Sequence, residues 1–366
     1  MSASEGRALR PVPVFLLGAG GVGRELVRQI VAGRETAAAR AGCRFEVVGI
    51  ADRRGVRLAP DGIPDATLLA AIAGKANGEP IGPAWEGTPD AASALIGELV
   101  VAGHRQGVLV DTTAAAGWEP LLDRCLDLGW AVALANKKAL AGPWATARRY
   151  FHHPRVRHES TVGGGQPVIA TMRSLVDTDD PPREVSGALS GTLGYLCLRM
   201  EEGVAFSAAV REAAARGYTE PDPREDLGGR DVVRKLLILG RLAGWEMEEG
   251  DIEVEELYPP ELAALPVPDF LAALPRLDDA FAARVAAARA AGGRLRYVGR
   301  AAAGRGRAGL ETVPAASPLA NLKHVALRTA RYDDEPLVIG GKGAGVEMTA
   351  AGVLADLFSL AREIAR

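Results

Sequence analysis

Asp231 and Lys235 stand four residues apart, just ahead of the apolar run Leu236, Leu237, Ile238 and Leu239. On a helix that spacing puts carboxylate and ammonium on one face, most often as a solvated ion pair. The surroundings argue for more. The helix expected here is largely apolar, and it follows the loop from Gly217 to Asp226, which carries Glu220, Asp222, Glu225 and Asp226 and is stiffened by Pro221 and Pro223. Carboxylates that can hold an ammonium, beside a lysine able to exchange a proton, are what a site for an amino-acid substrate needs.

A second chemistry-bearing segment is Gly18-Ala19-Gly20-Gly21-Val22-Gly23, a G-x-G-x-x-G pattern. Its glycines suit a tight turn, a close backbone approach to a pyrophosphate and tight helix–strand packing, and the helix start offers free N–H groups. The plainer reading is a glycine-rich turn that binds nothing. Asp52 ends the next apolar run, where an acidic side chain holds the adenosine ribose in NAD sites, while Arg53 and Arg54 suit a 2′-phosphate. Both solutions stand side by side, so NAD and NADP remain open. Lys137 follows a further apolar run, and by position alone it serves as a phosphate contact or as a surface charge.

These residues need a frame. Val12–Leu17, Phe45–Ala51, Val108–Val110 and Trp130–Leu134 read as buried strands, ending at the glycine loop, Asp52, Asp111-Thr112-Thr113 and Asn136-Lys137-Lys138. Helical patterns after Gly21, over Ala91–Val101 and near Pro120–Leu128 alternate with them, which implies a parallel sheet with helices on both faces. The segment from Asp52 to about Pro89 reads as polar and Gly/Pro-rich. Beyond Arg155 the rhythm changes to α+β. Helices are expected over Thr192–Met200, Phe206–Arg216 and Leu227–Ala243. Strands Leu295–Arg300 and Leu310–Val313 flank a flexible loop, Ala301–Gly309, as an antiparallel pair would, and Ala320–Ala330 and Pro336–Gly340 can supply more. A final helix, Met348–Ile364, is expected to return to the first domain. The fold class is therefore α/β: a Rossmann-type parallel sheet over residues 1–155, an α+β domain over 156–340, and a C-terminal helix in 341–366.

Composition sets the outer limits. The 366 residues are 48% hydrophobic and 24% charged with a net charge of −3, an ordinary globular balance that favours neither nucleic acid nor an anionic membrane as partner. The longest stretch free of Asp, Glu, Lys and Arg, Val185–Leu198, is too short for the roughly 20 residues of a membrane span. Met1–Arg10 has no apolar core of a secretory signal. Cys43, Cys125 and Cys197 sit in apolar settings and read as buried thiols of a reducing, cytoplasmic compartment. The five histidines show no zinc-ligand spacing with them.

The stretch Gly-Tyr-Thr-Glu-Pro-Asp-Pro-Arg-Glu-Asp-Leu-Gly-Gly-Arg-Asp-Val-Val-Arg-Lys over 217–235 resembles the signature of the homoserine dehydrogenases. Segments 135–140, 159–168, 189–195, 341–345 and 349–353 agree with that family in the same order. Leu277–Arg284 is similar to the dehydrogenase half of the bifunctional aspartate kinase–homoserine dehydrogenases. The resemblance implies NAD- or NADP-dependent interconversion of L-homoserine and L-aspartate 4-semialdehyde, on the route to threonine and methionine, by a homodimer whose second domain is catalytic and dimerising. It implies Lys235 as acid/base, Glu220 and Asp231 as substrate ligands, and Lys137 between nicotinamide and substrate. It further implies that Thr113, Ala114, Ala135, Gly217 and Gly343 line the cofactor with the glycine loop, Asp52 and Arg53. Glu159, Val162, Gly164 and Gln166 match the family's monovalent cation (Na or K) site, mostly through main-chain carbonyls. Thr112 and Gln166 depart from the usual Cys and aliphatic residues. With no kinase segment or regulatory tail expected, strong inhibition by threonine is not expected either. Two other readings are an oxidoreductase for a related amino-acid semialdehyde and a non-catalytic dinucleotide sensor.

Overall fold

A computed structural model describes residues 9–320 and 324–364; most of Met1–Arg10 and residues 321–323 of the expected strand Ala320–Ala330 lie outside the described residues. Two compact units emerge, one of residues up to 166 together with 343 onward, the other of residues 167–342.

In the first unit, β1 (Arg10–Leu17), β2 (Cys43–Asp52), β3 (Gly55–Leu58), β4 (Val108–Asp111), β5 (Ala131–Leu134) and β6 (Val156–Arg157) form one sheet in the order β3-β2-β1-β4-β5-β6. All pairs are parallel except β2 with β3. Val12 through Leu17 are buried without alternation, as expected of a strand covered on both faces. The chain runs outward from β1 to β2 and then returns to β4 on its other side. Strand order therefore reverses at β1/β4, and the carboxyl ends of those strands border the crevice where such sheets bind ligands.

The segment read as polar and Gly/Pro-rich contains β3 and the helix Asp65–Ala76. Ile63, Leu68, Ile72 and Ile81 join the core of this unit, and Leu68 and Ile72 do so from one face of an alanine-rich helix. The C-terminal helix, Val346–Ile364, does return to this unit: Val353, Leu357 and Leu360 enter the core with Leu26, Val27 and Phe45. Phe358 meets Phe45 edge to face at 5.2 Å.

The second unit is built on β7 (Glu184–Gly187), β8 (Ile252–Val254), β9 (Gly293–Ala302), β10 (Arg305–Pro314), β11 (His324–Arg328) and β12 (Leu337–Gly340), ordered β12-β11-β7-β9-β10-β8. Only β8 and β10 pair in parallel. Most of the expected loop Ala301–Gly309 is strand, because β9 and β10 pair from Ala302–Arg305 onward. The connection is the two residues Ala303 and Gly304, both at positive φ (48° and 80°), the handedness that matches the twist of a hairpin. Alanine and glycine gave no strand signal here; the ladder supplies the stability that their side chains lack.

The expected helix Leu227–Ala243 starts three residues later than expected, at Arg230. A single turn, Arg224–Leu227, is followed by a break and then by the helix Arg230–Leu242. Gly229 makes the break at φ +67°, and a Cβ there would lie 2.2 Å from Tyr297 Oη. Nine residues of this helix, from Val232 to Leu242, are buried.

Candidate active site

The glycine loop leaves β1 through Gly18, at φ +105°, where a Cβ would lie 2.7 Å from Thr112 Oγ1. Thr112 donates that hydroxyl to the Gly18 carbonyl at 2.7 Å, so the end of β4 holds the turn directly. A Cβ on Gly23 would fall 1.8 Å from the Gly18 carbonyl oxygen, which fixes how closely the helix Gly21–Ala32 approaches the strand. Gly20 is different: a Cβ there meets nothing within 4 Å, and Gly20 and Gly21 are exposed while Ala19 is buried. No side chain caps this helix. An open, exposed helix start with room above its glycine fits a pyrophosphate. Val22 packs against the core of the unit.

At the end of β2, Asp52 is engaged by its own protein. Its carboxylate pairs with the Lys75 ammonium and accepts the N–H groups of Arg54 (2.8 Å) and Gly55 (3.0 Å). Burial alone would raise its pKa; Lys75 and the two N–H donors outweigh that and hold it below the usual carboxylate range. Arg53 is exposed on the same turn. Lys75 gave no signal in the sequence because its partner lies in a different element.

The carboxyl ends of β4 and β5 are joined by a buried polar cluster. Asp111 is 1% exposed, and its carboxylate accepts from Thr113 N–H (2.8 Å) and Asn136 Nδ2 (3.0 Å). Asn136 Nδ2 also lies 3.1 Å from Thr113 Oγ1 and 2.7 Å from the Ala115 carbonyl, and its Oδ1 accepts the Lys138 N–H at 3.0 Å. Burial pushes the Asp111 pKa up to about 6, against the opposing hydrogen bonds. Thr113, Ala114, Ala135 and Lys137 all lie on these two loops. A carboxylate closing the apolar run Val108-Leu109-Val110 was the available sequence signal.

Glu159, Val162, Gly164 and Gln166 belong to the same unit. Glu159 N–H donates to Asp356 at 2.8 Å, and a Cβ on Gly164 would lie 1.8 Å from the Gly343 carbonyl oxygen. The loop at Gly343 thus rests on the segment 163–166, with Gly165 N–H donating to the Gly343 carbonyl at 3.3 Å. Among the described residues, no group of three or more His, Cys, Asp or Glu could hold a metal ion.

In the second unit, Lys235 Nζ lies 2.7 Å from Asp231 Oδ2 and donates to the Leu189 carbonyl at 2.6 Å. The lysine side chain is 16% exposed and the aspartate 42%, so the ammonium is sheltered while the carboxylate stays open to solvent. The acidic loop sorts its carboxylates. Asp222 is bound by Arg224, which also donates to the carbonyls of Ala263 and Leu265 at 2.6 Å each. The Arg224 hydrogen bonds hold Asp222 below the usual range. Asp226, which sequence reasoning did not single out, accepts the Glu220 N–H at 2.8 Å; burial first, then the Glu220 and Asp231 carboxylates, raise its pKa. Glu220 is exposed, and Gly217 follows the helix Phe206–Ala215 on the loop's other side.

Cys43, Cys125 and Cys197 are buried and unbonded to one another. Among the described residues, no helix is long and apolar enough to cross a membrane.

Comparison with known proteins assigns a family to this arrangement. The family model described as homoserine dehydrogenase matches residues 167–358, and that described as homoserine dehydrogenase, NAD binding domain, matches residues 18–153. A bifunctional aspartokinase/homoserine dehydrogenase of Haemophilus influenzae is 34% identical over 94% of the chain, which spans 42% of that relative. A homoserine dehydrogenase of Schizosaccharomyces pombe is 32% identical over 96% of both chains. The crystal structure of a Candida auris protein, described as of unknown function, superposes with a TM-score of 0.84 at 32% identity, covering 97% of this chain and 99% of that one.

Proposed function

The chain belongs to the homoserine dehydrogenase family, and from that premise we propose that it interconverts L-homoserine and L-aspartate 4-semialdehyde, with NADP or NAD, in threonine and methionine biosynthesis. The observation that carries this reading is Lys235: largely buried, held by Asp231 and the Leu189 carbonyl, on a helix entered from a carboxylate-rich loop. Two fixed partners give the lysine one orientation, as acid/base work requires.

When bound, the nicotinamide supplies or accepts the hydride. The chain's own residues do the rest. In the reducing direction Lys235 stabilises the charge growing on the aldehyde oxygen and gives it a proton; in the oxidising direction it takes the hydroxyl proton back. Asp231 keeps the ammonium aimed and, with Glu220, holds the substrate ammonium. Asp226 supports Glu220 through its main-chain N–H. Lys137, beside the buried cluster at the rim of the first sheet, is assigned the cofactor-side role, with Thr113, Ala114, Ala135, Gly217 and Gly343 as cofactor-lining residues.

Asp52 already has a cationic partner, whereas Arg53 is exposed. That arrangement favours a 2′-phosphate over two ribose hydroxyls, hence NADP over NAD. The close contact of Gly343 with the segment around Gly164 supports a main-chain cation site at Glu159, Val162, Gly164 and Gln166, for Na or K. Three buried thiols support a reducing, cytoplasmic setting.

One assay tests the reading: homoserine-dependent reduction of NAD⁺ and NADP⁺ measured side by side, with and without potassium. Turnover with homoserine and a lower KM for NADP⁺ are expected. Turnover only with another 4-hydroxy amino acid overturns the substrate assignment.

A further inference from the structure

Two loops of the first unit, after β4 and after β5, carry residues assigned to the cofactor. At their base stand Asp111 and Asn136, which are 1% and 6% exposed. Backbone pairing brings the strand ends together: Ala135 N–H donates to the Asp111 carbonyl at 2.9 Å, and Thr112 N–H donates to the Leu17 carbonyl at 2.9 Å. Side chains then lock the two loops beyond the strand ends. Asp111 takes Thr113 N–H with one oxygen and Asn136 Nδ2 with the other. Asn136 reaches on to the Ala115 carbonyl and, through Oδ1, to the Lys138 N–H. A buried carboxylate is a costly way to join two strands, and two aliphatic side chains would do it with less desolvation. What aliphatic side chains cannot do is set the spacing of two loops through directed bonds at both oxygens of one carboxylate and at both ends of one amide.

We infer that Asp111 and Asn136 are a positioning pair, which fixes Thr113 and Ala114 on one loop and Ala135 and Lys137 on the other at the spacing that the bound nicotinamide dinucleotide needs. The inference rests on the function proposed above. Neither residue is assigned a contact with substrate or cofactor; each acts through the loops it joins.

The test compares the unaltered protein with Asn136→Ala, Asp111→Asn and the exchanged pair Asp111→Asn/Asn136→Asp. In the exchanged pair an amide at position 111 can donate to a carboxylate at position 136, which restores the link between the loops but not the bond to Ala115. Two readouts are taken: the Kd for NADPH by fluorescence titration, and kcat with KM for homoserine. In both single variants NADPH is expected to bind about tenfold more weakly. Their kcat should fall on the order of 10²-fold, the cost of misplacing reacting groups by about an ångström. KM for homoserine should stay within about twofold, and the exchanged pair should recover a large part of both losses. Single variants that melt as the unaltered protein does, yet bind NADPH and turn over normally, overturn the inference. So does an exchanged pair no better than either single variant, since that is the behaviour of two independent structural residues. If the unaltered protein binds NADPH without oxidising homoserine, the proposed function falls, while the Kd series still decides on the pair.

Discussion

At the scale of residues, the telling contrast is between carboxylates that the protein has already neutralised and those it leaves for a ligand. Asp222 belongs to Arg224 and Asp52 to Lys75. Glu220 is exposed, and Asp231 shares Lys235. Lys235→Met is expected to lower kcat by roughly 10²–10⁴, the range of general acid–base catalysis, with the NADPH Kd unchanged; undiminished turnover would remove Lys235 from the mechanism. Glu220→Leu should instead act on KM for homoserine, and a KM that stays put would make Glu220 structural. Asp111 gives a pH signature. Its folded pKa is raised by burial to about 6, so the folded state binds the proton more tightly than the unfolded chain does. The stability tied to this group is complete below about pH 4 and is lost as pH rises through about 6. The urea midpoint of the unaltered protein should therefore fall relative to that of Asp111→Asn between about pH 4.5 and 7. A constant difference between the two would contradict the assignment.

At the scale of elements, a few close approaches position the chemistry. The turn from β1 into the helix Gly21–Ala32 tolerates no side chain at Gly23, because a Cβ would sit 1.8 Å from the Gly18 carbonyl. Gly23→Ala must push the helix away from the strand, and NADPH binding is expected to weaken at least tenfold. Overpacking of this kind costs about 1–3 kcal/mol of stability; a fluorescence titration and a melting curve read both. This element was legible in the sequence: an apolar run, three spaced glycines and an amphipathic helix are contiguous. The helix Asp65–Ala76 was masked by the Gly and Pro residues around it, and the antiparallel pair expected of Leu295–Arg300 and Leu310–Val313 runs further than expected, to a turn at Ala303-Gly304. Leu68 and Ile72, four apart, share one face of that alanine-rich helix, and the full length of β9 and β10 is defined by the ladder between them. The start of the helix at Arg230 is marked in the sequence by Gly228-Gly229, but the Tyr297 hydroxyl that forbids a side chain at Gly229 comes from β9.

At the scale of the whole molecule, family membership carries the expectation of a homodimer. Sedimentation equilibrium over the micromolar range is expected to give twice the 38.2 kDa chain mass, and a single 38.2 kDa species would contradict it. The same scale shows why some features could be read from the chain and others could not. The glycine loop, the Asp231/Lys235 spacing, the alternation of strands with helices and the return of an apolar C-terminal helix are patterns of near neighbours, and helix and strand geometry converts such patterns directly into shared faces. Partnerships across elements are not periodic and leave no such trace. Lys75 on Asp52, Arg224 reaching the carbonyls of Ala263 and Leu265, Asn136 on Asp111 and Lys235 on the Leu189 carbonyl all join residues that meet only once sheet order and loop paths are set. The amino-acid order already specified which groups could do the chemistry. Folding decided how each was placed: Asp222 and Asp52 are taken up by Arg224 and Lys75, Glu220 stays exposed, and Lys235 is held in one orientation by partners from its own helix and from the segment at Leu189.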